Sequence, residues 1–263
     1  TNQGAKLQLA AAKLSQRNAE GALALLDELP DDVLATQQDR LRLLALISEG
    51  KREAVDKEIA ALVGREPVDA AALGGAIEVL MASGRQDLAR KVAERLYEVA
   101  ADKPNMLLRV AQVAAADKDW TRAETALDES IKRDPRNIDF RVALAQVAAA
   151  RGDEERAIAV LDEARRIDPA AIAPQLLRAA QYLRLENPAD ANKTIDSLLR
   201  AAPADGTAAA AAGVLLMNFG KAEAALPRLQ LAAEQKPSAE NWFNLARAQA
   251  ALKKMKDARD SLV

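Results

Sequence analysis

Residues 138–171 read IDFRVALAQVAAARGDEERAIAVLDEARRIDPAA, and the punctuation of this stretch decides the fold. Two Ala- and Leu-rich runs are separated by Gly152-Asp153, and the second stops at Asp168-Pro169. Ala and Leu are strong helix formers, Gly tolerates the left-handed turn that ends a helix, and Pro cannot continue one. The stretch therefore predicts a helix, a tight turn, a second helix and a stop. Leu144 and Ala145 mark the first helix, and Ala157, Leu161 and Ala164 the second.

The same unit recurs in both directions. Pro135, Pro169, Pro203 and Pro237 stand 34 residues apart, and Pro67 lies two periods before Pro135. With these prolines at repeat position 32, the repeats fall at 3–35, 36–69, 70–103, 104–137, 138–171, 172–205, 206–238 and 239–263, the last incomplete. Position 20 reads Ala22, Val55, Ala89, Ala123, Ala157, Ala191, Ala225 and Ala258. Position 8 carries Ala10, Ala111, Ala145, Ala179, Gly213 and Ala246. These are the expected crossing points of the two helices, where a small side chain lets the backbones approach. Position 24 carries Leu26, Ile59, Leu127, Leu161, Ile195, Leu229 and Leu262, expected to fill the space against the next repeat. Position 15 is the turn, with Gly50, Gly84, Gly152 and Gly220, but Lys118 in the fourth repeat.

A 34-residue period with small, small and large columns and a terminal Pro resembles the tetratricopeptide repeat family, along essentially the whole chain. Trp242-Phe243-Asn244-Leu245-Ala246 is especially similar to the family pattern. The resemblance implies an all-α fold, an α-solenoid of helix-turn-helix units in a right-handed superhelix. It also implies a concave groove lined by first helices, mainly at positions 2, 5, 6, 9, 12 and 13. Here those positions include Arg40, Glu78, Met81, Asn105, Arg109, Gln112, Gln146, Leu176, Arg184, Met217, Asn218, Asn244 and Arg247. An Ala-rich groove with a few long polar side chains suits an extended peptide or a helix, held by amides and a few charges. Gln112 and Gln146 share a column of adjacent repeats and could follow a peptide backbone. The clamp by which chaperone-binding members grip a terminal carboxylate needs Lys and Asn at fixed positions. Position 5 here is Leu7, Arg40, Gly74, Leu108, Val142, Leu176, Ala210 and Phe243, so the clamp is absent as a set.

Composition points away from chemistry. There is no His and no Cys, which removes the commonest general base, the commonest metal ligand and the thiol nucleophile. Leu73-Gly74-Gly75 fits no phosphate-binding loop. The carboxylates of Asp31-Asp32 and Asp153-Glu154-Glu155 are expected as helix caps and first-turn residues. The expectation is a non-enzymatic chain with no cofactor, no metal and no catalytic residues. Lys and Arg number 37 against 39 Asp and Glu, so no cationic face is expected for nucleic acid. Nor does any apolar run reach the length of a transmembrane helix.

The chain begins at Thr1-Asn2 and stops at Val263 inside a helical pattern, so it is expected to be a fragment of a longer protein. An uncapped last repeat predicts further repeats or end-to-end self-association. Segments 171–179 and 241–249 resemble the bacterial repeat lipoproteins linked to PEP-CTERM sorting and exopolysaccharide export. That resemblance implies a scaffold or adaptor with a protein or peptide partner, periplasmic or anchored at the outer membrane, with a cytoplasmic location as the alternative. A polysaccharide-guiding domain, or an assembly or regulatory domain of a larger protein, are the other functional readings. Sugar binding favours exposed aromatics, and Trp120 and Trp242 are expected to pack within repeats instead.

Three local features stand outside the pattern. Gly74-Gly75 inside a first helix predicts either close packing or a soft point. Pro227 predicts a kink or a late helix start, whereas Asn187-Pro188 reads as an N-cap followed by a first-turn proline.

Overall fold

The computed structural model describes residues 3–30, 35–202 and 206–262. Thr1, Asn2, Asp31, Asp32, Pro203 and Val263 lie outside the described residues. Among the described residues there are sixteen α-helices and no strand. They run α1 (Gln3–Ser15), α2 (Ala19–Asp27), α3 (Ala35–Ser48), α4 (Arg52–Gly64), α5 (Ala70–Ala82), α6 (Gln86–Ala100), α7 (Pro104–Ala116) and α8 (Trp120–Arg133). The series continues with α9 (Ile138–Arg151), α10 (Glu154–Ile167), α11 (Ile172–Arg184), α12 (Pro188–Ala201), α13 (Thr207–Asn218), α14 (Ala222–Gln235), α15 (Ala239–Ala251) and α16 (Met255–Asp260).

Local chemistry starts these helices. Asn18, Asp69, Asp119, Asn137, Asp153, Asn187 and Ser238 each accept a first-turn backbone N–H on a side-chain oxygen. Such a cap satisfies donors that the helix cannot, and typically contributes about 1 kcal/mol. Glu154 and Glu155 follow the Asp153 cap in the first turn of α10, as the sequence suggested. Pro104 and Pro188 occupy the first turns of α7 and α12, where a missing N–H costs nothing.

The turn inside each hairpin is left-handed. Its φ is positive at Gly50, Gly84, Gly152 and Gly220, and equally at Arg17, Lys118, Glu186 and Lys253. All of these stand at repeat position 15. An L-residue with a Cβ pays sterically for this conformation, so half of the turns form against local preference.

The chain divides into two units, Thr1–Pro135 and Arg136–Val263. In each, a first helix packs on its own second helix and on the first helix of the next hairpin: α1 on α3, α3 on α5 and α5 on α7, then α9 on α11, α11 on α13 and α13 on α15. Each unit is thus an α-solenoid of stacked hairpins.

Small residues sit where the helices cross. Ala10, Ala22, Ala89, Ala123, Ala157, Ala179, Ala191 and Ala225 are fully buried. At Gly213 a Cβ would meet Leu229 Cγ at 2.4 Å, so α13 and α14 are too close for even an alanine. Leu26, Ile59, Leu127, Leu161, Ile195 and Leu229 fill the layers between hairpins, all buried. Leu262, expected to do the same, is exposed.

Two local features resolve between their alternatives only in part. Helix α14 begins at Ala222, so Pro227 does not delay its start. Burial of Ala225, Leu229, Ala232 and Ala233 holds the helix through the proline, although one backbone hydrogen bond is lost. Gly74 packs closely, with its missing Cβ 3.0 Å from Met106 Sδ, but Gly75 faces open space.

Candidate functional site

The second unit holds a cleft of about 740 Å³, and successive first helices line it. Helix α9 gives Val142 and Gln146, and α11 gives Ala173, Leu176, Leu177 and Ala180. From α13 come Thr207, Ala210, Ala211, Val214, Leu215 and Asn218, and α15 closes the row with Glu240, Asn241 and Asn244. These fall mostly at repeat positions 2, 5, 6 and 9, because residues three and four apart share a helix face. The floor is aliphatic. Its breadth follows from Ala173, Ala180, Ala210 and Ala211, whose short side chains stop well below the rim.

Polar groups rim the cleft. Gln146 and Asn218 are exposed. Asn244 is buried, and its Oδ1 accepts from Arg247 Nη1 at 3.3 Å. Asn241 has a structural task, donating from Nδ2 to the Lys236 carbonyl at 2.8 Å. That bond ties α15 to the end of α14. Lys236 and Glu240 are the charged residues among the lining.

Of the residues that the sequence pointed to, Gln146, Leu176, Asn218 and Asn244 line this cleft. Arg184 and Arg247 are exposed, on α11 and α15. Arg184 donates to Gln181 Oε1 at 3.1 Å, and the Arg247 guanidinium stands 6.0 Å from the Phe243 ring centre. Met217 is half-buried against the core.

The remaining candidates lie in the first unit. Glu78 on α5 pairs with Arg40 of α3 at 3.6 Å and with Arg109 of α7. Arg109 Nη1 also donates to Gln112 Oε1 at 3.4 Å. Four predicted residues therefore form one network across three first helices, while Asn105 is exposed at the start of α7 and Met81 is half-buried on α5. Gln112 and Gln146, which share a sequence column, belong to different units.

One aromatic is exposed against expectation. Trp242, expected to pack within its repeat, is 38% exposed on α15, and Phe243 beside it is 55% exposed. Trp120, at the start of α8, is half-buried. The cleft's floor was also only partly foreseen. Val142, Ala210 and Val214 look like ordinary core residues in sequence, and only the repeat register separates them from it.

Five ionisable side chains are clearly shifted, none of them in the cleft. Burial pushes the Asp69 carboxyl up, but hydrogen bonds from Thr36 Oγ1 (2.6 Å) and the Ala72 and Ala71 amides outweigh it and hold it below the ordinary value. The Arg90 guanidinium, 2.7 Å away, lowers Asp117. Hydrogen bonds from Lys193 and Asn187 lower Asp190. Hydrogen bonds to Asp39 and Asp117 raise Arg65 and Arg90, respectively. All are charged near neutrality. Among the described residues no group of three or more Asp or Glu could hold a metal ion, and no helix is long and apolar enough to cross a membrane.

Comparison with known proteins agrees with this geometry. Residues 114–181 and 176–240 match family profiles described as tetratricopeptide repeat. A tetratricopeptide repeat protein from Parabacteroides merdae is similar in structure, with 12% identity over 98% of both chains and a TM-score of 0.57. A thermophilic member from Thermus thermophilus is 22% identical over 70% of this chain and 100% of its own, with a TM-score of 0.49. At 12% identity the likeness to the Parabacteroides merdae protein speaks for the fold alone. No curated protein matches the sequence.

Proposed function

We propose that this chain, a tetratricopeptide repeat protein, is an interaction scaffold whose second-unit cleft receives an amphipathic helix or extended peptide from a partner protein. The observation that carries this reading is the cleft: an aliphatic floor open to solvent, rimmed by Gln146, Asn218 and Asn244. Apolar side chains of a partner lose contact with water on that floor, at about 25 cal/mol per Å² buried. Rim amides can meet a peptide backbone as donor and acceptor at once. With few charges in the lining, binding is expected to change little with salt.

The proposed setting is a bacterial envelope system of the exopolysaccharide and PEP-CTERM type. The chain is then periplasmic or anchored at the outer membrane. The resemblance of segments 171–179 and 241–249 to repeat lipoproteins supports that setting. A second reading, a domain that guides polysaccharide, gains support from exposed Trp242 and Phe243, since solvent-facing rings can stack on sugars. Quenching or shift of tryptophan emission by oligosaccharide, lost in Trp242→Ala, would favour it.

The test of the leading reading is a peptide selection against the whole chain, followed by titration against variants. Selected peptides are expected to weaken at least about tenfold on Leu177→Asp and Val214→Asp, because each buries a charge under the ligand. The exposed control Lys57→Glu should bind as before. Peptides that bind all four chains alike would overturn the cleft as the site.

A further inference from the structure

The face of α5 that carries Gly74 and Gly75 holds a second, differently built feature. These glycines occupy positions 5 and 6, which in the sixth repeat carry Leu176 and Leu177 on the floor of the cleft. A Cβ at Gly75 would meet nothing within 4 Å, so the backbone of α5 is bare there. Glu78 lies one turn further along the same face, with Arg40 on one side and Arg109 on the other. Their side chains are 55% and 35% exposed, and Glu78 is 35% exposed. Apart from these three, positions 2, 5, 6, 9, 12 and 13 of the first four repeats carry no charge.

Two guanidinium groups thus share one carboxylate, leaving an excess positive charge in an otherwise uncharged groove. Each guanidinium has five N–H donors in a planar fork, and Gln112 Oε1 accepts only one from Arg109. A second carboxylate can be accepted without removing Glu78. The bare glycine backbone beside it lets a peptide main chain come closer than any side chain would allow.

We infer that the first unit has its own peptide site, in which a partner segment lies against the α5 backbone at Gly75 and places an acidic side chain between Arg40 and Arg109. This rests on the scaffold reading but concerns a different unit and a different chemistry. The second-unit cleft takes apolar side chains; this face takes an aspartate or glutamate.

The test uses the whole isotopically labelled chain and two acetylated peptides of leucine and alanine, identical except that one carries two aspartates and the other two asparagines. The acidic peptide is expected to shift the Gly74 and Gly75 amides and the Arg40 and Arg109 side-chain signals. It should bind this face about three- to fivefold more tightly than the neutral one, as for a partly exposed ion pair. Raising salt should shrink that preference, and Arg40→Gln combined with Arg109→Gln should abolish it. Glu78→Gln keeps both arginines and removes the internal competitor, so it should enlarge the preference. Equal binding of the two peptides, or shifts confined to α11 and α13, would overturn this inference while leaving the second-unit cleft standing. Shifts on α5 alone would support it and count against the cleft as the site for such peptides. No shifts from either peptide would overturn it as well.

Discussion

Lys118 adopts φ 60° where four other turns of the same kind carry a glycine at φ 68° to 89°. The left-handed conformation costs an L-residue roughly 1–2 kcal/mol, and nothing obliges the fold to bear that cost. Lys118→Gly is expected to raise the free energy of unfolding by about 1 kcal/mol, part of the gain being offset by the freer unfolded chain. Gly152→Ala should lower it by a similar amount. Its missing Cβ faces open space, so the effect is purely that of the backbone. Urea denaturation followed by circular dichroism measures both. Gly213 is a different case, because its helix is ordinary and its neighbour is not. A Cβ there would meet Leu229 Cγ at 2.4 Å and the Leu229 amide nitrogen at 3.3 Å. Gly213→Ala is expected to destabilise by about 1–3 kcal/mol, the usual cost of overpacking, despite the better helix propensity of alanine. Four of the eight turns are legible in sequence as glycines. The other four hold Arg17, Lys118, Glu186 and Lys253, whose residue types carry no turn signal. Only the register finds them.

At the scale of helices, starts are more legible than interiors. Asn18, Asp119, Asp153 and Asn187 all stand where an N-cap is expected, and each accepts a hydrogen bond from the third helical residue. Pro227 does not delay the start of α14, because propensity is a local quantity and burial is not. The helix loses one bond at the Glu223 carbonyl, yet the packing of Leu229 and its alanine neighbours outweighs the loss. Asp69 offers a test of how capping couples to pH. Its carboxylate accepts from the Ala71 and Ala72 amides and from Thr36 Oγ1. A folded pKa below the unfolded value means stability that is fully present above the unfolded pKa and is lost as pH falls through the folded one. Asp69→Ala is therefore expected to cost about 1 kcal/mol at neutral pH, and the difference from the parent chain should narrow in acid. Urea midpoints measured across the acid range check this. A gap that stays constant would show that the charge of the cap contributes nothing.

For the whole chain, the sequence carries the hairpin plan almost completely, because most layers repeat the same small and large columns. The candidate site is less legible. Gln146, Asn218 and Asn244 stand out as polar residues on first helices, but the cleft's floor is made of the alanines and aliphatics that also build the core. Distinguishing Ala210 from Ala209 needs the helical phase: Ala209 is 1% exposed in the core, while its neighbour lines the cleft. Surface exposure of Trp242 escaped the sequence, whereas Phe243 stands at groove position 5 and its exposure follows from the register. The ion pairs are mostly on the surface, where each contributes little. Binding specificity is therefore expected to reside in the two groove chemistries rather than in overall charge. The central claim is that a partner segment occupies the first-helix cleft of the second unit. Amide hydrogen exchange of the whole chain, with and without a selected peptide, tests it most directly. Slowed exchange concentrated in α11, α13 and α15 is the result expected. Slowed exchange confined to α10, α12 and α14, with the cleft helices unchanged, would contradict it.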